Sequence, residues 1–378
     1  MLKGSEEYPP IMQFSIERSV LLSALQKIQM VVEKKNTIEI LGNVLLEARE
    51  GRFSLCATAL EMGLRVFAPA EILEEGRTTV SAKQFLDIVR ELPSQTISLY
   101  SQNNERIEMR CGKARFCLPT TPAEQYPTFP KLDDKEYYQA STEALKEMID
   151  RTHFAASTDA TFQHLNGVYL EPLENRRYRT VATDGYRLSL IDQELFLKNP
   201  PLDRGVIVPK KGLLELKKLL QDETVGLAFE NGCLFVQLKD SYFFIRFIDG
   251  NYLDYHIFMQ KKLNRVIILD RVAFTSALKR MSIFANEKSH AVKLHIQEGS
   301  LLLSSSQSDV GEGQEEMEAL YQGDSLEIVF NFKYLLDDLT VLKADQVELH
   351  FQDAKTTSVL KEVGRPEHTY LIMPMQID

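Results

Sequence analysis

Asp184 stands beside Gly185 in the run Thr180-Val-Ala-Thr-Asp-Gly-Tyr-Arg-Leu188. An aspartate can hold a divalent cation or act as a base, so metal-dependent phosphotransfer is one chemistry to consider. Asp-Gly is also a favoured hairpin-turn dipeptide, because such a turn needs positive φ. The rest of the chain favours the turn. It has no phosphate-cradling glycine loop and no nucleophile–base pattern. The seven histidines lack metal-ligand spacing, and Cys56, Cys111, Cys117 and Cys233 form no C-x-x-C pair. The expectation is no catalytic residue, no metal and no cofactor, with buried free thiols in a reducing cytoplasm.

The remaining chemistry lies in lysines and in the elements that carry them. A strand, a lysine and a one-sided helix follow one another in Thr79-Val-Ser-Ala-Lys83-Gln-Phe-Leu-Asp-Ile-Val-Arg-Glu-Leu92. The pattern returns in Val206-Ile-Val-Pro-Lys210-Lys-Gly-Leu-Leu-Glu-Leu-Lys-Lys-Leu-Leu220 and in Ile328-Val-Phe-Asn-Phe-Lys333-Tyr-Leu-Leu-Asp-Asp-Leu339, with the lysines 127 and 123 residues apart. An earlier helix repeats in step, at residues 19–28, 142–149 and 272–281. Each copy has apolar residues three and four apart. Strand-like runs follow each helix. Ordered agreement of several elements points to a triplicated module.

The fold class expected is therefore α+β. It comprises three repeated domains, at 12–132, 138–258 and 264–378, each with two helices packed on a β-sheet. Linkers fall near 127–134 and 251–264. Pairing of edge strands between modules would make the sheets continuous. A head-to-tail array then closes into a ring or grows as a filament.

The chain of 378 residues is 44% hydrophobic and 26% charged, with net charge −10. It has no long apolar run, so no transmembrane helix is expected. Residues 1–10 lack an apolar signal core and read as a loose extension, with Met12 an alternative start. A net acidic chain is a poor partner for phosphate unless its charge is polarised. Six helix windows, 18–35, 83–92, 142–151, 210–220, 271–288 and 333–343, hold 18 basic and 10 acidic residues. They carry +8 and leave −18 elsewhere; including the flanking acids Glu17, Asp222 and Asp270 lowers the helix figure to +5. A positive helix layer suits non-specific phosphate contact, and no helix shows a base-reading set of side chains.

With the repeat and the motifs Ile40-Leu-Gly-Asn43, Leu165-Asn-Gly167, Thr180 to Leu188, Val206 to Lys210, Asn286-Glu-Lys288 and Ile372-Met-Pro-Met375, the chain resembles the bacterial DNA polymerase III β subunit family, from about Met12 to Asp378. The resemblance implies a non-catalytic sliding clamp in the cytoplasm, a head-to-tail homodimeric ring of clamp-fold domains. Helices line the hole, and the ring encircles duplex DNA without reading its sequence. Implied partners are the polymerase III α subunit, the clamp loader, translesion polymerases and mismatch-repair proteins. No membrane partner is implied.

The same resemblance places a partner-peptide pocket between modules two and three. It comprises Leu165, Thr183, Gly185, Tyr186, Arg187, Leu188, Leu253 and Phe258 with Asn331, Tyr334, Leu371, Ile372, Met373, Pro374 and Met375. Leucine, isoleucine and methionine make an adaptable apolar floor. Tyr186, Arg187 and Asn331 are suited to fix a peptide at the rim. The implied dimer seam sets Lys113, Arg115, Phe116 and Leu118 against Ile283, Phe284 and an acidic loop with Glu312, Glu315, Glu316 and Glu318. Gly311 and Gly313 favour mobility in that loop. Implied DNA-facing residues are Lys35, Lys83, Lys146, Lys210, Lys211, Lys217, Lys279 and Lys333.

The chain departs from familiar members at Leu253, which replaces a proline, and at Ile257 and Phe258, which replace an arginine–valine pair. Ser289 stands where an aromatic can occur. The pocket is therefore expected to prefer somewhat different peptides. Two rivals, an enzyme using Asp184 and a repeat scaffold that binds only proteins, are disfavoured by the missing catalytic pattern and by the basic helices.

Overall fold

Three strand-to-helix junctions share one device, a short polar side chain that caps the first turn. Ser81 Oγ accepts from Gln84 N–H, Asp270 Oδ1 from Ala273 N–H, and Asn331 Oδ1 from Lys333 N–H. The structure, a computed structural model, describes residues 12–32, 38–102, 105–132, 134–196, 198, 202, 204–260, 262–307 and 311–376. Its helices are α1 (Arg18–Ile28), α2 (Ala82–Glu91), α3 (Thr142–Thr152), α4 (Lys210–Leu219), the one-turn α5 (His256–Met259), α6 (Arg271–Met281) and α7 (Phe332–Val341).

The repeat is visible in what the helices bury. Helix α1 buries Leu21, Ala24, Leu25 and Ile28, and α6 buries Phe274, Ala277, Leu278 and Met281 at the same spacing. Helix α2 buries Ala82, Phe85, Leu86 and Val89; α7 buries Phe332, Leu335, Asp338 and Leu339. Asp338 thus occupies an inward position of an apolar stripe.

Two predicted windows end well short of their expected ends. After α6 the chain turns at Asn286, whose Oδ1 accepts the N–H groups of Lys288 and Ser289. Helix α1 stops at Ile28, so Lys34 and Lys35 fall outside it, and both lie outside the described residues. The six long helices carry 14 basic and 8 acidic residues, so the helix charge is corrected to +6. It is concentrated on α1, α4 and α6.

The chain forms two compact units. One contains Met1–Thr142 and Glu215–Phe247, the other Glu143–Leu214 and Ile248–Asp378. In the first, a 13-stranded sheet runs through strands of two predicted modules. Strand Met62–Ala68 pairs antiparallel with Ser241–Arg246, setting Leu64 against Phe243. In the second unit an 8-stranded sheet is joined the same way. There Arg187–Glu194 pairs with Arg365–Ile372, setting Leu188 against Leu371. Edge strands do pair between modules, which is why compactness does not follow the repeat.

A separate 4-stranded sheet in the second unit ends on strand Gly311–Glu318. The predicted acidic loop is therefore an edge strand. Its glycine also has a different role. A Cβ on Gly313 would lie 2.6 Å from Phe284 Cδ2, so the glycine lets that ring pack on the strand backbone. Among the thiols, Cys56, Cys111 and Cys233 are buried as expected, but Cys117 is exposed because it points outward from strand Ala114–Thr121.

Candidate functional site: an apolar cleft beside a buried ionic brace

Asp184 is fully engaged in a turn. Its Oδ1 accepts the N–H groups of Tyr186 (3.0 Å) and Arg187 (3.1 Å), and Oδ2 accepts from Arg187 Nε at 3.0 Å. Gly185 has φ +91°, the conformation for which glycine is favoured. Among the described residues no group of three histidine, cysteine or acidic side chains is placed to hold a metal.

The turn forms one wall of a cleft of about 110 Å³, lined by Thr183, Gly185, Tyr186, Arg187, Leu188, Leu253, Phe258, Thr357, Leu371 and Met373. Strand alternation explains the floor. Leu371 faces the cleft, whereas Tyr370 and Ile372 turn into the core of the C-terminal module. Met373 N–H donates to Tyr186 O at 3.0 Å, extending the ladder past the strand end. The other wall is the linker, held by Tyr252, which stacks on Tyr169 at 4.8 Å, and by the buried Tyr255, which donates to Glu171. The linker leaves Leu253, Ile257, Phe258 and Met259 exposed. Tyr186 and Met373 are exposed at 64% and 47%, an unusual amount of apolar surface to gather in one place.

Not every predicted pocket residue lines this cleft. Leu165 and Ile372 are buried, and Asn331 caps α7. Pro374 and Met375 lie beyond the strand, where Met375 N–H donates to Val329 O. Thr357 was missed; only its position opposite Met373, one residue past the Ser358–Ile372 pair, brings it in.

Arg187 differs most from its expected role. Its Nη1 donates to Asp337 at 2.6 Å and its Nη2 to Phe154 O at 2.8 Å, and it lies 4.3 Å from the centroid of Tyr334. It braces the cleft from behind rather than offering donors at the rim. Lys210 is likewise turned inward, with Nζ 3.4 Å from Ala156 O. Burial, and then the nearby Arg187, hold its ammonium below the usual lysine range. Lys83, Lys211, Lys279 and Lys333 are exposed, and Lys146 and Lys217 are half-buried.

Behind the brace lies a buried polar cluster. Arg151 Nη1 contacts Glu362 at 2.5 Å, and Asp338 Oδ1 lies 3.5 Å from His368 Nε2. Ser189 Oγ donates to Arg151 O and lies 3.1 Å from the same histidine nitrogen. Burial drives the Asp338 carboxyl well above its ordinary range, against the pull of Arg151. Burial, and then Arg151, push His368 down to about 3. His368 is therefore neutral at pH 7, and burial favours the neutral form of Asp338 as well. A raised carboxyl pKa stabilises the fold below the unfolded value of about 3.9, and that contribution is lost as pH rises. Asp338→Asn, which fixes the neutral form, is thus expected to raise stability near pH 8 and to flatten the decline above about pH 4. His368 acts oppositely. Its contribution is present above about pH 6.5 and lost on acidification, so the variant should still weaken in acid. Urea unfolding at the two pH extremes checks this; a variant less stable than the parent in alkali would contradict it.

At the other predicted surface, Glu108 is buried beneath Arg115, 2.6 Å away, and Arg110. Hydrogen bonds from Arg115 and then Arg110 hold its carboxyl below the usual range. Arg280 Nε donates to Glu315 at 2.7 Å. Lys113 and Glu316 are exposed, Phe116 and Phe284 half-buried, Leu118 buried, and Ile283 exposed at 67%.

Models of the DNA polymerase III beta subunit match three consecutive parts of the chain: the N-terminal domain at residues 12–130, the central domain at 139–254 and the C-terminal domain at 258–376. The beta sliding clamp of Pseudomonas putida is 33% identical over 372 residues, covering 97% of this chain and all of the relative. That of Caulobacter vibrioides is 34% identical over 376 residues, with the same coverage. The crystal structures of the Caulobacter crescentus clamp and of the Pseudomonas aeruginosa beta subunit superpose with TM-scores of 0.91, at 33% and 31% identity, over 97% of this chain and 100% of theirs. A triplicated α+β chain with this fold is a DNA-clamp protein. It belongs to the DNA polymerase III beta subunit family: it is a beta sliding clamp, a processivity subunit rather than an enzyme.

Proposed function

We propose that two copies of the chain close head to tail into a ring of six modules, at 12–132, 138–258 and 264–378 of each. The ring encircles duplex DNA in the bacterial cytoplasm and tethers the replicative polymerase, the clamp loader and repair proteins through the Leu371 cleft. The observation that carries the ring is a pair of open strand edges at the two ends of the repeat. Residues 114–118 of strand Ala114–Thr121 pair only with Arg106–Cys111 and the residues beside it, and Gly311–Glu318 pairs only with Ser300–Gln307, among the described residues. Open edges of this kind are normally covered. One edge carries Lys113 and Arg115, the other Glu312, Glu316 and Glu318, so opposite charges favour their meeting. Ile283 and Phe284 flank the acidic edge, and Phe116 and Leu118 belong to the basic one.

The positive charge of α1, α4 and α6 supports duplex contact through exchangeable phosphate interactions. Lys83, Lys146, Lys211, Lys217, Lys279 and Lys333 are the side chains assigned to it, with Lys210 contributing from its inward position. Sliding requires that no single contact dominate.

Ile283→Asp tests ring closure without disturbing the fold, because Ile283 is mostly exposed, whereas Phe284 also packs on Gly313. Sedimentation is expected to show monomers with an unchanged unfolding midpoint. Loader-dependent retention on closed circular DNA, and its release by linearisation, should disappear with the dimer. A variant that stays dimeric would remove this seam, and a parent protein retained equally on linear DNA would remove encirclement.

A further inference from the structure

A second cleft, of about 190 Å³, adjoins the first and shares Phe258, Thr357 and Leu371 with it. We propose that it is a carboxylate-binding extension of the peptide pocket, occupied by the acidic end of a partner peptide whose apolar side chains fill the first cleft. The proposal rests on the peptide-docking function above and adds a specificity to it.

Strand pairing builds the extension. Val359 lies opposite Leu371, and alternation brings Lys361 and Thr369 to the same face while Leu360 and Tyr370 turn inward. The floor therefore changes from apolar at Leu371 and Val359 to polar at Thr369 and Lys361 within one side-chain step. Phe258 stands at the shared wall, so a chain anchored on Leu371 reaches the second cleft on passing that ring.

Charge selects the occupant. The lining includes Lys361 and His350 but no carboxylate, in a chain of net charge −10. Glu348, which faces Lys361 in the ladder, contacts His350 Nε2 at 3.1 Å instead. Lys361 makes no ion pair with any described residue. A half-buried lysine without an ion-pair partner among the described residues, at the end of an apolar track, is complementary to a carboxylate that follows apolar anchors. That group is either the terminal carboxylate of a peptide ending in those anchors or an acidic side chain just beyond them.

Calorimetry on the full-length dimer separates the sources. The probes are a short peptide ending in leucine and phenylalanine as its free acid, the same peptide as its C-terminal amide, and the amide extended by one aspartate. One or both carboxylate-bearing peptides are expected to bind roughly threefold to fivefold more tightly than the plain amide, and which one gains identifies the source. The gap should narrow with added salt. Lys361→Gln should abolish it while leaving the plain amide unchanged. Equal affinity of all three peptides for the parent overturns the extension and leaves the apolar pocket standing, as does a gap that survives in Lys361→Gln. Failure of the plain amide to bind overturns the pocket and the extension together.

Discussion

Arg151→Met is expected to destabilise the second compact unit by about 3–5 kcal/mol, the cost of leaving one buried charge without its partner. The Glu362 side chain is fully buried and depends on Arg151 for its counter-charge. Its other oxygen accepts the N–H groups of Lys343 and Ala344, at 2.5 and 2.7 Å, just past the end of α7. Burial pushes this carboxyl up, but Arg151 and the two N–H groups more than offset it, so its pKa lies below the ordinary range. Its contribution to stability is therefore present above that range and is lost as pH falls. Methionine replaces the stem of Arg151 and removes the guanidinium, including its hydrogen bond to Glu147 at 3.1 Å, where Lys343 remains as a counter-charge at 3.5 Å. Adding Glu362→Gln to Arg151→Met should recover part of the loss, because no uncompensated ion then remains. Urea unfolding of the two single variants and the double variant measures the coupling. A single-variant cost below about 1 kcal/mol would show that the pair is not an effective brace. Arg151 ends α3 and Glu362 belongs to the C-terminal module, so the pair ties the two modules that form the cleft.

This brace marks where sequence reasoning stopped. The helices were legible because their burial repeats every three or four residues, a local signal preserved in all three copies. The turn at Asp184-Gly185 was legible for the same reason. Arg151 and Asp338 fall inside the helix windows whose summed charge reads as a phosphate-facing layer, yet both are buried. Nothing local distinguishes them: Arg151 meets its partner 211 positions away. Arg187 suits a pocket rim by its neighbours in sequence, yet its guanidinium is bound by Asp337, 150 positions on. Gly313 suggested mobility because the sequence cannot show the Phe284 ring against it. The family resemblance supplied most lining residues of the cleft, but not Thr357, whose place depends on strand register. Charged and small residues take their meaning from distant partners, whereas periodic apolar residues show theirs locally.

The cleft itself is best probed at Met373 and Leu371, which differ in what else they do. Leu371→Ala/Met373→Ala is expected to weaken an apolar-ended peptide by about 100-fold, corresponding to roughly 3 kcal/mol from two truncated anchor contacts. Leu371 also packs with Val181, Leu188, Leu190 and Tyr255 beneath the linker. Its truncation should cost about 2–3 kcal/mol of stability as well. Met373 is 47% exposed, so Met373→Ala should leave the unfolding midpoint almost unchanged. That single variant isolates binding from folding, with an expected loss of roughly tenfold. Calorimetry with the parent and both variants, alongside thermal unfolding and sedimentation, checks each part. Full affinity in Met373→Ala would place the peptide elsewhere. Loss in the double variant alone, matched by partial unfolding, would assign Leu371 to the core rather than to recognition. Retained folding and dimerisation with lost affinity would separate the two tasks of the repeat: repeated helices and sheets build the modules, and the diverged junction of the second and third carries the docking cleft.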